Sequence, residues 1–127
     1  MINFSNNSVF NLKPINASEI QSDVSNLFVS GENVIGAFKT VRDQVIFTNK
    51  RIITIDVQGI TGKRKDYSTL PYSKIQYFSV QTPGFSELIP DCEMELFFTN
   101  GFRAKFDFKG DCNIIALGKI ISEYVLE

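Results

Sequence analysis

The chain has 127 residues, 43% of them hydrophobic and 21% charged, with 14 acidic against 13 basic residues and a formal net charge of −1. This is the length of one domain, with enough apolar content for a single core. The charge balance lacks the basic excess of a protein that grips nucleic acid by charge, so no nucleic-acid partner is expected.

Residues 1–17 are rich in Asn and Ser and read as a loosely docked segment ahead of a single domain over 18–127. Phe4, Val9, Phe10 and Leu12 are apolar enough to pack, while Pro14 argues against a helix through that point. Ser18 and Gln21 have capping-box spacing, and Ile20, Val24, Leu27 and Phe28 follow at helical intervals. A short helix over about 19–28 is predicted, with Gly31 just past its end. From Val34 the pattern turns to β, with runs at 34–41, 45–48 and 51–57 and a tight turn at Asn49-Lys50. Ile53, Ile55 and Val57 share one face of the third run. Gln58 to Gly62 reads as a glycine-bearing turn, and 63–70 as a polar strand that Pro71 ends or places at an edge. The next strand, 75–82, is broken by Pro83-Gly84, and 85–90 reads as a loop.

The last hairpin alternates cleanly on both sides of Asn100-Gly101. A two-residue loop there pairs Phe98 with Arg103 and mixes the faces. A three-residue loop, Thr99 to Gly101, pairs Phe98 with Phe102, Leu96 with Ala104 and Met94 with Phe106, which keeps one face dry. The longer loop is therefore predicted, with Gly101 left-handed in a bulge and Glu95 opposite Lys105. A final helix over about 112–126 is expected, capped by Asp111. Ile114, Leu117, Ile121 and Tyr124 form its stripe, and Ile115, Gly118, Ile120 and Val125 widen it. The order is a short helix, about seven antiparallel strands and a C-terminal helix. Such a sheet buries one face by curling into a partly open barrel or sandwich plugged by the helix.

The stretch from Gln44 to Lys63, QVIFTNKRIITIDVQGITGK, followed by LPYSKI at Leu70 to Ile75, closely resembles the bacterial pleckstrin-homology (PH) domain family. There FTNKRI, D-x-QG-x-TGK and PYSKI recur at this spacing, and the resemblance runs from about Glu32 to Leu126. It implies the mainly β PH-like superfold: two packed, orthogonal antiparallel sheets of seven strands with a C-terminal cap helix. It also implies a single-domain member that forms a cyclic homo-oligomer, a pentameric ring, with a polar contact surface where strands of neighbouring protomers meet. Function within that family is largely uncharacterised.

Asn49, Lys50, Arg51, Lys63, Arg64 and Lys65 are the candidate contact surface, for an unidentified protein partner. Eukaryotic PH domains bind phosphoinositides on the first strand pair and its loop. The matching stretch here, Lys39 to Gln44, is short, carries Asp43 and has only two basic residues, which argues against phosphoinositide binding. Gly59 to Lys63 lacks P-loop spacing and a following helix, so it reads as turn chemistry. Glu93, Glu95 and Asp107 read as a charge ladder with Arg103 and Lys105. Phe85, Leu88 and Ile89 are either subunit contacts or a flap over the core. No histidine is present, and Cys92 and Cys112 form no CxxC pair, so neither a metal site nor a disulfide scaffold is expected. The two cysteines read as small, partly buried thiols. No catalytic residue and no cofactor are assigned, because no nucleophile stands beside an evident base. No apolar run nears the roughly 20 residues that span a bilayer, and 1–16 lacks a signal-peptide core, so a cytoplasmic location is expected. The leading reading is a non-enzymatic interaction or scaffold module. The alternatives are membrane-surface targeting through anionic headgroups and, last, a small-ligand enzyme.

Overall fold

The computed structural model describes residues 8–82, 91–109 and 113–126. Eight strands form one curled sheet: β1 (Ser8–Pro14), β2 (Val34–Lys39), β3 (Gln44–Thr48), β4 (Arg51–Gln58), β5 (Arg64–Pro71), β6 (Ile75–Gln81), β7 (Asp91–Phe98) and β8 (Arg103–Lys109). Helix α1 (Ile114–Val125) follows. The spatial order is β5-β4-β3-β2-β1-β8-β7-β6, so β5 and β6 are the two edges.

The N-terminal segment departs most from the sequence reading. Ser8–Pro14 is not loosely docked: it is the strand that joins the two halves of the sheet, antiparallel to β2 and parallel to β8. Among the described residues the strands therefore number eight, and one pairing is parallel. Leu12 opposes Phe108 and is fully buried. The local sequence hides this strand because neither partner is a neighbour in the chain: Lys13 stands against Lys39 and Ser8 against Lys105. Phe4 lies outside the described residues.

The predicted helix at 19–28 is instead two 3-10 turns, Ala17–Glu19 and Ser22–Leu27. Neither has a side-chain cap, so the capping box does not form. The cause is a tertiary competitor. The Gln21 amide donates to Gln44 Oε1 at 3.0 Å, and Gln44 Nε2 donates to the Glu19 carbonyl at 2.8 Å, which holds Ile20 extended and Gln21 non-helical between the turns. The apolar spacing still names the buried face. Ile20, Val24 and Phe28, with Ile15, cover Ala37, Ile46, Ile53, Ile55 and Val57 on the outer side of β2–β5. Strands β3 and β4 are thus covered on both faces: every residue of β3 and all but the two end residues of β4 are buried.

The inner face forms the main core. Phe38, Val45, Phe47 and Ile52 meet Met94, Leu96, Phe106 and Phe108 from the other half. Phe38 stands edge-on to Phe108 at 4.7 Å and Phe47 to Phe106 at 6.0 Å, the geometry aromatic rings prefer. Helix α1 closes this core with Ile114, Leu117 and Ile121. Its cap is Asn113, whose Oδ1 accepts from the Ala116 amide at 3.0 Å, while Asp111 and Cys112 lie outside the described residues. Ile115 does not widen the buried stripe, being 59% exposed. Gly118 lets the helix approach β6: a Cβ there would lie 3.2 Å from Val80 Cγ1.

The last hairpin takes the predicted register. Leu96 opposes Ala104 and Met94 opposes Phe106. The Phe98 amide donates to the Phe102 carbonyl at 2.9 Å around the three-residue loop, and Gly101 has φ 88°. Pro71 ends β5, which is an edge strand. No helix among the described residues is long and apolar enough to cross a membrane.

Candidate interaction surfaces

The six residues singled out as a contact surface fall into two separate groups. Asn49, Lys50 and Arg51 sit at the β3–β4 turn, while Lys63 immediately precedes β5 and Arg64 and Lys65 begin it. Strand β4 lies between them, with Arg51 paired to Pro71 at one end and Gln58 to Arg64 at the other. At about 3.3 Å per residue this separation is roughly 23 Å.

Half of the six are engaged within the fold. Asn49 accepts from the Asn33 amide through Oδ1 at 2.7 Å and donates from Nδ2 to the Gly31 carbonyl at 2.9 Å, which secures the turn before β2. Lys65 donates to Gln21 Oε1 at 2.9 Å and pairs with Asp23 at 3.8 Å, tying β5 to the N-terminal cover. Arg51 forks onto a carboxylate that the sequence reading passed over, Glu32. Its Nε and Nη2 each lie 3.0 Å from a Glu32 oxygen, Nη1 donates to Thr69 Oγ1 at 3.0 Å, and Nη2 also donates to the Leu27 carbonyl. The Glu32 side chain is fully buried, and it also accepts from Thr48 Oγ1 at 2.6 Å and the Val29 amide at 3.0 Å. Burial by itself pushes the Glu32 carboxyl up. The hydrogen bonds from Arg51, Thr48 and Val29 outweigh it and bring the pKa down to about 2. Tyr72 completes the corner by donating to the Thr48 carbonyl at 2.7 Å, and burial pushes its hydroxyl pKa up. A lone acid after a glycine carries no periodic signal, which is why Glu32 was missed. Lys50, Lys63 and Arg64 remain exposed and make no ion pair among the described residues.

The outer face of β6–β8 carries a row that crosses three strands. Tyr77 stacks on Phe97 at 4.2 Å and 10°, and the Arg103 guanidinium lies 5.0 Å over the Phe97 ring. Tyr77 is 56% exposed and stands on the edge strand. The expected charge ladder lies beside this row. Glu95 is in register with Lys105, yet the ion pairs run diagonally, Glu95 to Arg103 and Glu93 to Lys105 at 3.4 Å. Asp107 faces Glu93 in register and is buried.

Two loop tips stand together at another place. Val41 and Ile60 are fully exposed, at the β2–β3 and β4–β5 turns. Arg42 binds the two turns side by side by donating to the Gly59 carbonyl. Gly59 and Gly62 both have positive φ, as turn chemistry there requires. Cys92 lies buried in the core. Phe85, Leu88 and Ile89 fall outside the described residues. Among the described residues no cluster of three His, Cys, Asp or Glu could hold a metal ion.

A curled sheet whose edge strands among the described residues are β5 and β6, closed over its core by a C-terminal helix, is the PH-like fold. The bacterial PH domain family profile matches residues 3–125, and the chain belongs to that family. It is similar to the uncharacterized protein YjqA of Bacillus subtilis (strain 168), at 34% identity over 114 residues that cover 88% of this chain and 90% of YjqA. YozO of the same strain is 30% identical over 99 residues, 78% of this chain and 83% of that one. Among solved structures, a PH-domain protein from Shewanella loihica PV-4 superposes with a TM-score of 0.76 at 29% identity, covering 92% of this chain and 99% of that chain. The PH domain from Shewanella amazonensis SB2B gives 0.64 at 31% identity, covering 89% of this chain and 90% of that one.

Proposed function

We propose that the chain is a non-catalytic interaction module that assembles as a cyclic homo-oligomer, a pentamer, and recruits a protein partner. The observation that carries this reading is the pair of sheet edges, β5 and β6, which pair with no further strand among the described residues. Strands β5 and β6 are eight and seven residues long, and each ends the sheet. An unpaired edge of that length is a template for another chain. Two different edges also suit two different roles. A ring needs a heterologous contact, in which one patch of a copy meets a different patch of the next. The β6 edge fits this role, because Tyr77 presents an open ring face there at the end of a stacked row. The β5 edge is then left for the partner. The native mass of the purified chain tests the ring. The expected result is about five times the 14.4 kDa chain at both low and high salt, falling to one chain in Tyr77→Glu. A single-chain mass at both salts overturns it.

A second reading, membrane-surface targeting, is favoured by the joined tips. Two fully exposed β-branched residues, with Arg42, Lys63 and Arg64 near them, match a surface that dips into the interface of an anionic bilayer. A ring would multiply weak sites. Sedimentation with vesicles of equal phosphatidylglycerol and phosphatidylcholine tests it. Binding at low salt that is lost in Val41→Asp/Ile60→Asp and in 0.5 M salt supports the reading. No sedimentation at low salt removes it.

A further inference from the structure

We infer that the open edge of β5, together with the cavity at its Pro71 end, docks an extended segment of a partner protein in which a bulky apolar residue is followed closely by an acidic one. This rests on reading the chain as an interaction module, and it names the chemistry of the partner.

The edge comes first. Strand β5 pairs with β4 without a bulge from Arg64↔Gln58 to Pro71↔Arg51. Pro71 has no amide to donate, so at an edge its nitrogen faces the open side. Backbone direction alternates along a strand, and the positions in step with Pro71 (Thr69, Tyr67 and Lys65) therefore turn their amides and carbonyls away from β4. These groups are what an added strand would bond. Pro71 marks where that ladder stops.

The cavity lies just there. It has a volume of about 410 Å³, and Leu70, Pro71, Phe98 and Phe102 supply its apolar walls. Its far side is held in place because the Thr99 amide donates to the Lys74 carbonyl at 2.9 Å, which joins the β7–β8 loop to the corner between β5 and β6. A bulky apolar side chain of the added strand would fill this space. Backbone bonds then supply affinity and the pocket supplies selection, as in other strand-addition sites.

Charge decides the neighbour of that side chain. Lys74 lines the cavity, is exposed, and makes no ion pair among the described residues. Lys63 and Arg64, at the other end of the same edge, are in the same condition, with Asp66 between the two ends. A carboxylate side chain beside the apolar residue would meet Lys74, and a basic one would be repelled.

The test is selection of a random octapeptide phage library on the immobilised full chain. Enrichment of Leu, Ile, Met or Phe followed within two residues by Asp or Glu is expected. A synthetic peptide of the most enriched sequence should bind at least tenfold more weakly to Lys74→Glu, a change of an exposed side chain, and to Thr99→Trp, which fills the cavity mouth. Lys119→Glu, the same charge change at an exposed position of α1, should stay within twofold. No enrichment overturns the proposal, as do enriched peptides indifferent to both Lys74→Glu and Thr99→Trp. Native mass measured on the same preparations separates the two readings. A ring that binds no peptide sinks the docking site alone, whereas a single chain that binds peptide sinks the ring alone.

Discussion

Glu32→Ala is expected to lower the unfolding free energy by about 3–5 kcal/mol, the cost of removing one partner from a buried ion pair. A small domain has only about 5–15 kcal/mol in total, so the variant should be marginal in urea titrations. The loss arises from what is left behind. Arg51 keeps its charge inside a corner where its side chain is 15% exposed, the Val29 amide loses its acceptor, and Thr48 loses the nearer of its two acceptors. Replacing both partners, as Glu32→Leu/Arg51→Met, should recover part of the loss, because no orphaned charge remains. If the double variant is as unstable as the sum of the singles, the pair is not the coupled unit described here. The same carboxyl sets an acid limit. Its pKa is lowered on folding from the ordinary 4.5 to about 2. The folded state therefore binds this proton less readily than the unfolded chain, and its contribution is fully present above about pH 5. It is lost as the pH falls towards 2. Melting temperatures at pH 6, 4 and 2.5 should decline less steeply in Glu32→Gln than in the wild type. Equal slopes would show that other carboxylates govern acid unfolding.

Phe106→Ala is the second large effect expected, at about 3–5 kcal/mol for an aromatic ring removed from a filled core. Phe106 is fully buried and opposes Met94 across the hairpin. Its ring also stands edge-on to Phe47 on the far half of the sheet, so its removal opens a void exactly where the two halves meet. Phe102→Ala, at a half-buried position beside the loop, serves as the comparison and should cost clearly less. Denaturant midpoints at unchanged slope would read both values. A Phe106→Ala loss no larger than that of Phe102→Ala would mean that the core relaxes into the void.

These expectations rest on features of unequal visibility in the sequence. The last hairpin was legible to the residue, because period-two alternation leaves a single register that keeps Met94, Leu96, Ala104 and Phe106 on one dry face. Pro71 left β5 either ended there or at an edge, and the structure has both; the family was legible from three short motifs. The N-terminal cover was half legible. Its apolar spacing named the face formed by Ile20, Val24 and Phe28, but the backbone conformation was set by Gln44, a residue more than twenty positions away.

The candidate surface was the least legible, for the same reason at larger scale. Basic residues that look alike in the sequence divide into Arg51 and Lys65, spent on Glu32 and on Gln21 with Asp23, and Lys50, Lys63 and Arg64, left in solvent. By itself the sequence determined the class of fold, the hairpin register and the strand that Pro71 ends or confines to an edge, because each follows from local alternation, turn chemistry or a missing amide. Only the tertiary structure decided that Ser8–Pro14 joins the two halves, that Glu32 holds Arg51, and that Val41 and Ile60 stand together. Each of those depends on a contact between distant positions, and side-chain type alone does not say which partner the fold will bring.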